Sequence, residues 1–178
     1  MKKEVGSKKM EERKKKSVGV IDLKACIGHV HLKVSDIERA EKFYSDILGF
    51  DVVERLGDSA VFLSAGGYHH HIGLNTWESA GGSPPPAGST GLYHFAILVS
   101  SRKELAKVLK RLIDHQYPLD GASDHGVSEA LYLHDPDENG LEIYCDRQRK
   151  DWPRDVKGNL KMKTSALDLR NLLNELER

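Results

Sequence analysis

The chain has 178 residues, 39% of them apolar and 30% charged, and its 27 basic and 27 acidic side chains cancel. This is the balance of an ordinary soluble globular domain, and it excludes a disordered, collagen-like or disulfide-scaffold protein. No stretch approaches the roughly 20 apolar residues of a membrane span, and the N-terminus has neither an apolar signal region nor a small-residue cleavage site, so a cytoplasmic protein without membrane contact is expected.

Residues 1–20 read as a basic, flexible leader. Residues 1–17 hold eight Lys or Arg against three Glu, which leaves the rest of the chain acidic by the same margin. A basic arm can bind nucleic acid by releasing counterions from phosphate, but this one has no aromatic residue to stack on bases, so no nucleic-acid partner is expected. Within 26–77 the pattern becomes regular. Val30, Leu32 and Val34 alternate with His29, His31 and Lys33, the two-residue period of a half-buried strand. Ser35 followed by Glu38 reads as a capping box, and Ile37, Ala40, Phe43, Tyr44, Ile47 and Leu48 recur at helical spacing until Gly49. Two strands over 50–56 and 60–64 turn at Gly57-Asp58, and a fourth lies around 70–77. This first module is βαβββ.

Residues 78–90, dense in Gly, Ser and Pro, form a linker. Residues 91–147 then repeat the module. Tyr93, Phe95, Ile97 and Val99 alternate with His94 and Ala96, Ser101 and Glu104 make a second capping box, and Leu105, Val108, Leu109 and Leu112 mark a second helix. Strands are expected over 117–121, 128–133 and 141–146, the last two joined by Asp135-Pro136-Asp137-Glu138-Asn139-Gly140. His94 lies 65 residues after His29, as Val99 does after Val34. The extension over 148–178 carries Leu160, Leu167, Leu169, Leu172, Leu173 and Leu176, which fit an amphipathic helix docked on the body or across a two-fold homodimer. Cys26 and Cys145 form no CxxC and read as buried small hydrophobes. The fold expected is α+β, with two paired βαβββ modules forming an open, funnel-like eight-stranded sheet.

Where one face of a strand is apolar, its polar residues must point the other way. This puts His29, His31, His94, Glu142 and Tyr144 on one concave surface. Two imidazoles and a carboxylate with coordination positions left open suit non-haem Fe(II) oxygen chemistry, and the same set accepts Mn(II), Ni(II) or Zn(II).

These motifs resemble the vicinal oxygen chelate superfamily, which includes glyoxalases, bleomycin resistance proteins and extradiol dioxygenases. The carriers are Gly28-His29, Val34-Ser35-Asp36 leading into Phe43-Tyr44 and Leu48-Gly49-Phe50, then Tyr93-His94-Phe95, and the 135–140 turn before Leu141-Glu142. Within the superfamily the chain is similar to the catechol 2,3-dioxygenase-like branch through residues 69–77, through Asp124-His125-Gly126, and through the tail from Trp152-Pro153 to Leu167-Asp168-Leu169. The resemblance implies a divalent metal, Fe(II) first, on His29, His94 and Glu142. It also implies a small catechol-type aromatic and O2 as substrates, and extradiol ring cleavage as the reaction. It makes His125 the acid/base and Tyr132, ten residues before Glu142, a holder of a substrate oxygen. Strand parity places His71 where Glu142 stands in the other module, as a pocket residue or a fourth ligand. A fourth ligand would suit a glyoxalase-like lyase or isomerase, and a non-catalytic ligand-binding or resistance protein of the same fold is the other alternative. Familiar extradiol enzymes of the superfamily have four modules with the metal in the second pair, whereas two are expected here.

Overall fold

Strand alternation followed at once by a helix cap recurs in a computed structural model that describes residues 21–178. The basic leader expected over 1–20 lies outside the described residues. Strand β1 (Val30–Lys33) runs into helix α1 (Ile37–Lys42), which continues as a wider π turn over Phe43–Ile47. Strands β2 (Asp51–Leu56), β3 (Ala60–Ser64) and β4 (Ile72–Asn75) follow. The second set is β5 (Phe95–Leu98), α2 (Arg102–Asp114), β6 (Gly121–Asp124), β7 (Ser128–His134) and β8 (Gly140–Asp146). The C-terminal segment adds β9 (Ser165–Ala166) and α3 (Leu169–Leu173).

The strands hydrogen-bond as two sheets, in the order β1-β4-β3-β2 and β5-β8-β7-β6-β9. In each, the first strand pairs parallel with the fourth, Val30 opposite Ile72 and Phe95 opposite Leu141, and the remaining ladders are antiparallel. The architecture is α+β, and among the described residues the sheets do not close into a barrel. Each sheet turns an apolar face to its helix. Leu105, Leu109 and Leu112 of α2 are buried in one continuous core with Leu131, Leu133 and Ile143, and Ile37, Phe43 and Tyr44 with Leu63, Ile72 and Leu74.

Several local expectations change. The α1 cap is Asp36, whose carboxylate accepts from the Arg39 amide at 3.0 Å, because the Ser35 amide and hydroxyl are both spent on Asp137 Oδ1, at 2.9 and 2.6 Å. The amphipathic helix expected over 160–176 is reduced to Leu169–Leu173 and a 3-10 turn over Asn174–Leu176. The residues before it run extended, because the open edge of β6 takes up β9 in a ladder and Asp168 then caps the helix onto the Asn171 amide. Leu172 alone of the expected leucine stripe is fully buried, and Leu160 stays exposed. Cys145 is buried, but Cys26, ahead of the first strand, is exposed.

The turn between β7 and β8 ties the two sheets together. Asp135, nearly inaccessible, accepts at Oδ1 from the Asp137 and Asn139 amides and at Oδ2 from the buried Tyr44 hydroxyl, at 2.8 Å. Arg39 reaches Asp137 Oδ1 at 2.7 Å. Burial first, then the Asp135 charge, pushes the Tyr44 phenol well above its ordinary value of 10.0. A pKa raised by folding contributes stability below pH 10 and loses it as pH rises further. Tyr44→Phe is therefore expected to cost about 1.5–3 kcal/mol at neutral pH in urea denaturation, the scale of a hydrogen bond to a charged partner, and to weaken the fall of stability above pH 10. An unchanged midpoint would show that this bond contributes nothing.

Candidate active site

The concave face of the second sheet assembles a row of polar groups from register alone. Tyr132 on β7 stands opposite Glu142 on β8, which stands opposite Ala96 on β5. His94, immediately before β5, brings Nε2 to 3.1 Å from Glu142 Oε2. The Tyr132 hydroxyl donates to the other carboxylate oxygen at 3.2 Å. On its far side that hydroxyl lies 2.7 Å from His125 Nε2, and His125 Nδ1 lies 3.3 Å from the Thr164 hydroxyl. Since the single Tyr132 proton goes to Glu142, His125 Nε2–H donates to the phenol oxygen and Nδ1 accepts from Thr164. Burial first, then the charge and hydrogen bond of Glu142, pushes the Tyr132 phenol up to about 12, so it holds its proton at neutral pH.

His94, Glu142, Tyr132 and His125 thus form one connected chain. His29 approaches from the other module, one residue before β1. With His94 and His71 it lines a cavity of about 770 Å³ whose other walls include Val30, Phe50, Val108 and Ile143 but not Glu142, Tyr132 or His125. Its ring packs at 4.5 Å, tilted, on His70. His29 does not touch the His94–Glu142 pair as placed, and among the described residues no three His, Cys, Asp or Glu stand close enough to hold an ion together. In type the donors fit a divalent cation: neutral imidazole nitrogens and a carboxylate already held by two polar neighbours. That support fixes which carboxylate oxygen each neighbour engages.

The registers also compare the modules strand by strand. Ala96, Glu142 and Tyr132 stand in one row, and His31, Gly73 and Phe62 in the matching row of the first sheet. Glu142 therefore corresponds to Gly73, two residues beyond His71. Strand parity alone puts His71 on this face but one row away from Glu142's, because the modules are offset by 65 residues at the first strand and 69 at the fourth. The His31 ring fills the space over Gly73, where an added Cβ would come within 3.0 Å of it, and meets Phe62 edge-on at 5.8 Å and Trp77 at 5.5 Å. Burial first, then the neighbouring His29, lowers the His31 pKa and favours its neutral form. The first sheet thus has an aromatic floor where the second has a carboxylate and a phenol. His71 Nδ1 accepts from the Ala65 amide at 3.3 Å and lies 3.2 Å from the Ser64 hydroxyl, which ties the ring to its own sheet.

Thr164 was not singled out from the sequence, since it fell inside the expected C-terminal helix. Its signal was the bare β6 edge, which a strand from elsewhere had to cover.

The chain is 46% identical over 149 residues to a catechol-2,3-dioxygenase of Bacillus subtilis (strain 168), covering 84% of this chain and 51% of that protein. It is 26% identical over 140 residues to a manganese-dependent 2,3-dihydroxybiphenyl 1,2-dioxygenase of Geobacillus genomosp. 3, covering 77% of this chain and 42% of that protein. The chain thus spans about half the length of these curated relatives. Among solved structures, a glyoxalase/dioxygenase from Nostoc punctiforme superposes with a TM-score of 0.58 at 19% identity, over 72% of this chain and 99% of that one, which speaks for the fold. The family model for the Glyoxalase/Bleomycin resistance protein/Dioxygenase superfamily matches residues 26–143, the span that holds both sheets except the end of strand β8 and all of β9, and the chain belongs to that superfamily.

Proposed function

We propose that the chain is a metal-dependent extradiol dioxygenase that opens the ring of a catechol-type aromatic with O2. The observation that carries this reading is the unbroken contact chain His94–Glu142–Tyr132–His125, which sets a phenol and an imidazole directly beside two candidate ligands. The ion would be held by His29, His94 and Glu142. Fe(II) is the first choice, and Mn(II) suits the same donors, as does Ni(II) or Zn(II). When bound, such an ion acts as a Lewis acid that acidifies a catechol hydroxyl and templates the two substrates.

The chain's own side chains do the rest. Tyr132 stays protonated, and its hydroxyl, which donates to Glu142 in the free chain, would turn that hydrogen bond to a substrate oxygen once an ion engages the carboxylate. His125 acts at Nε2: in the tautomer that carries its proton on Nδ1, toward the Thr164 hydroxyl, the bare Nε2 takes a proton from a catechol hydroxyl, and the imidazolium so formed later returns that proton to the product. The largely apolar walls of the cavity that reaches His29 and His94 suit an aromatic ring. Oxygen uptake by the Fe(II)-loaded chain, screened over catechols under reducing conditions, tests the reading. A yellow ring-cleavage product is expected, and silence across the panel would count against it.

The glyoxalase-like alternative would use a fourth protein ligand. His71 is the candidate, but its row and its ties to Ser64 and Ala65 make it a pocket residue. His71→Ala is expected to keep stoichiometric metal, with affinity within about three-fold of wild type, because a supporting contact at most is lost. Loss of the metal on that substitution would favour the lyase or isomerase reading.

A further inference from the structure

Residues beyond the span matched to the superfamily form a strap over the loop that carries His125, and we propose that Thr164 on this strap is the positioning residue of the acid/base. The inference rests on the dioxygenase reading only for what His125 does, not for how it is held. The strap is fixed at several points. β9 adds to β6 with Ser165 opposite Asp124 and Ala166 opposite Ser123. The Lys163 amide donates to the His125 carbonyl at 3.2 Å, and the Ser165 hydroxyl to the Asp124 carbonyl at 3.3 Å. Lys163 Nζ lies 3.4 Å from Asp124 Oδ2. Gly126, at φ +76°, lets the strap close down: a Cβ there would meet Pro153 Cγ at 2.9 Å and the Lys163 side chain at 3.4 Å. Farther along, Leu172 is fully buried, and Arg102 of α2 binds Glu175 at 2.7 Å and the Asn171 side chain at 2.9 Å. The backbone on both sides of His125 is therefore clamped to the strap, and Thr164 sits at the centre of the clamp.

A hydroxyl suits this place for a chemical reason. It can donate to a bare Nδ1 and accept from Nδ1–H, so it serves the ring whichever nitrogen holds the proton. When Thr164 accepts from Nδ1–H, Nε2, the atom that faces Tyr132, is the nitrogen left to take up and release a proton, and the ring keeps its aim in either tautomer. A carboxylate there could only accept, and a methyl group could do neither.

The test is Thr164→Val beside Thr164→Ser in the full chain. Nitrogen NMR of the His125 ring in the Zn(II)-loaded, diamagnetic protein should show a hydrogen-bonded Nδ1 in wild type and Thr164→Ser and an unbonded one in Thr164→Val. With Fe(II) and a catechol that the wild type turns over, Thr164→Val should lower kcat by about ten-fold with KM within about two-fold, and Thr164→Ser should restore it, as for a loss felt mainly in the transition state. An Nδ1 signal unmoved by Thr164→Val, or equal losses in the Val and Ser variants, overturns the proposal. A response of the nitrogen signal together with no oxygen uptake by any of the three proteins would support the Thr164 contact while removing the dioxygenase reading.

Discussion

Alanine at His94, Glu142 or His29 is expected to lower affinity for a divalent ion by about a hundred-fold or more while leaving the chain folded, since loss of a mere supporting contact already costs about 10–100-fold. None of the three side chains belongs to the apolar core, and His94 and Glu142 are partly open to solvent, at 31% and 16% side-chain exposure. Their removal creates no buried cavity, so melting should move little. Glu142→Ala is the most informative of the three, because it also frees the Tyr132 hydroxyl and breaks the contact chain to His125. Metal analysis of the purified variants, with melting curves beside it, checks this. If all three keep stoichiometric metal, the ion sits elsewhere.

Gly140→Ala should act on the same site from a distance. A Cβ at Gly140 would lie 2.1 Å from the Tyr93 carbonyl oxygen and 3.2 Å from His94 Cβ. Such overlap with backbone cannot be relieved by turning a side chain, so β5 and β8 must part just where His94 meets Glu142. A loss of about 3 kcal/mol is expected, at the upper end for overpacking, together with weaker metal binding. Gly73→Ala, in the row that corresponds to Glu142, is the matched control. Its Cβ would meet only the His31 ring, at 3.0 Å, and that ring can turn away. Thermal melts and metal titrations of the pair decide the matter: a Gly140→Ala protein that melts and binds like wild type would show that the close approach of the strands does not set the site.

What could be read from the sequence followed the strength of the local signals. Ala60 to Ser64, a short apolar run between turn residues, form β3 over that same range, and Gly49, at φ +87°, ends the first helical stretch as expected. The expected strand over 117–121 begins only at Gly121. Tyr117 is still bound to α2 through its amide to Leu112, and Pro118 has no N–H to offer a ladder. Within the candidate site, His94, Glu142, Tyr132 and His125 could be grouped from strand parity and from family likeness. Two features could not. The row shared by Glu142 and Gly73 depends on loop lengths that differ between the modules, and Thr164 depends on a pairing between β6 and a segment about forty residues away, whose leucine spacing resembled a helix. Long-range pairing is decided by which edges are left bare, and no local pattern reports that.

Isotope-labelled turnover tests the central claim most directly. The Fe(II)-loaded full chain is given 18O2 and a catechol it consumes, and product mass is followed together with oxygen uptake. One O2 should disappear per catechol, with both labelled atoms recovered in a ring-opened product cleaved beside the diol, and His125→Ala should suppress this without releasing the metal. No oxygen uptake with any catechol, combined with turnover of a thiol hemithioacetal by the metal-loaded chain, would contradict the dioxygenase assignment and place the site among the lyases or isomerases.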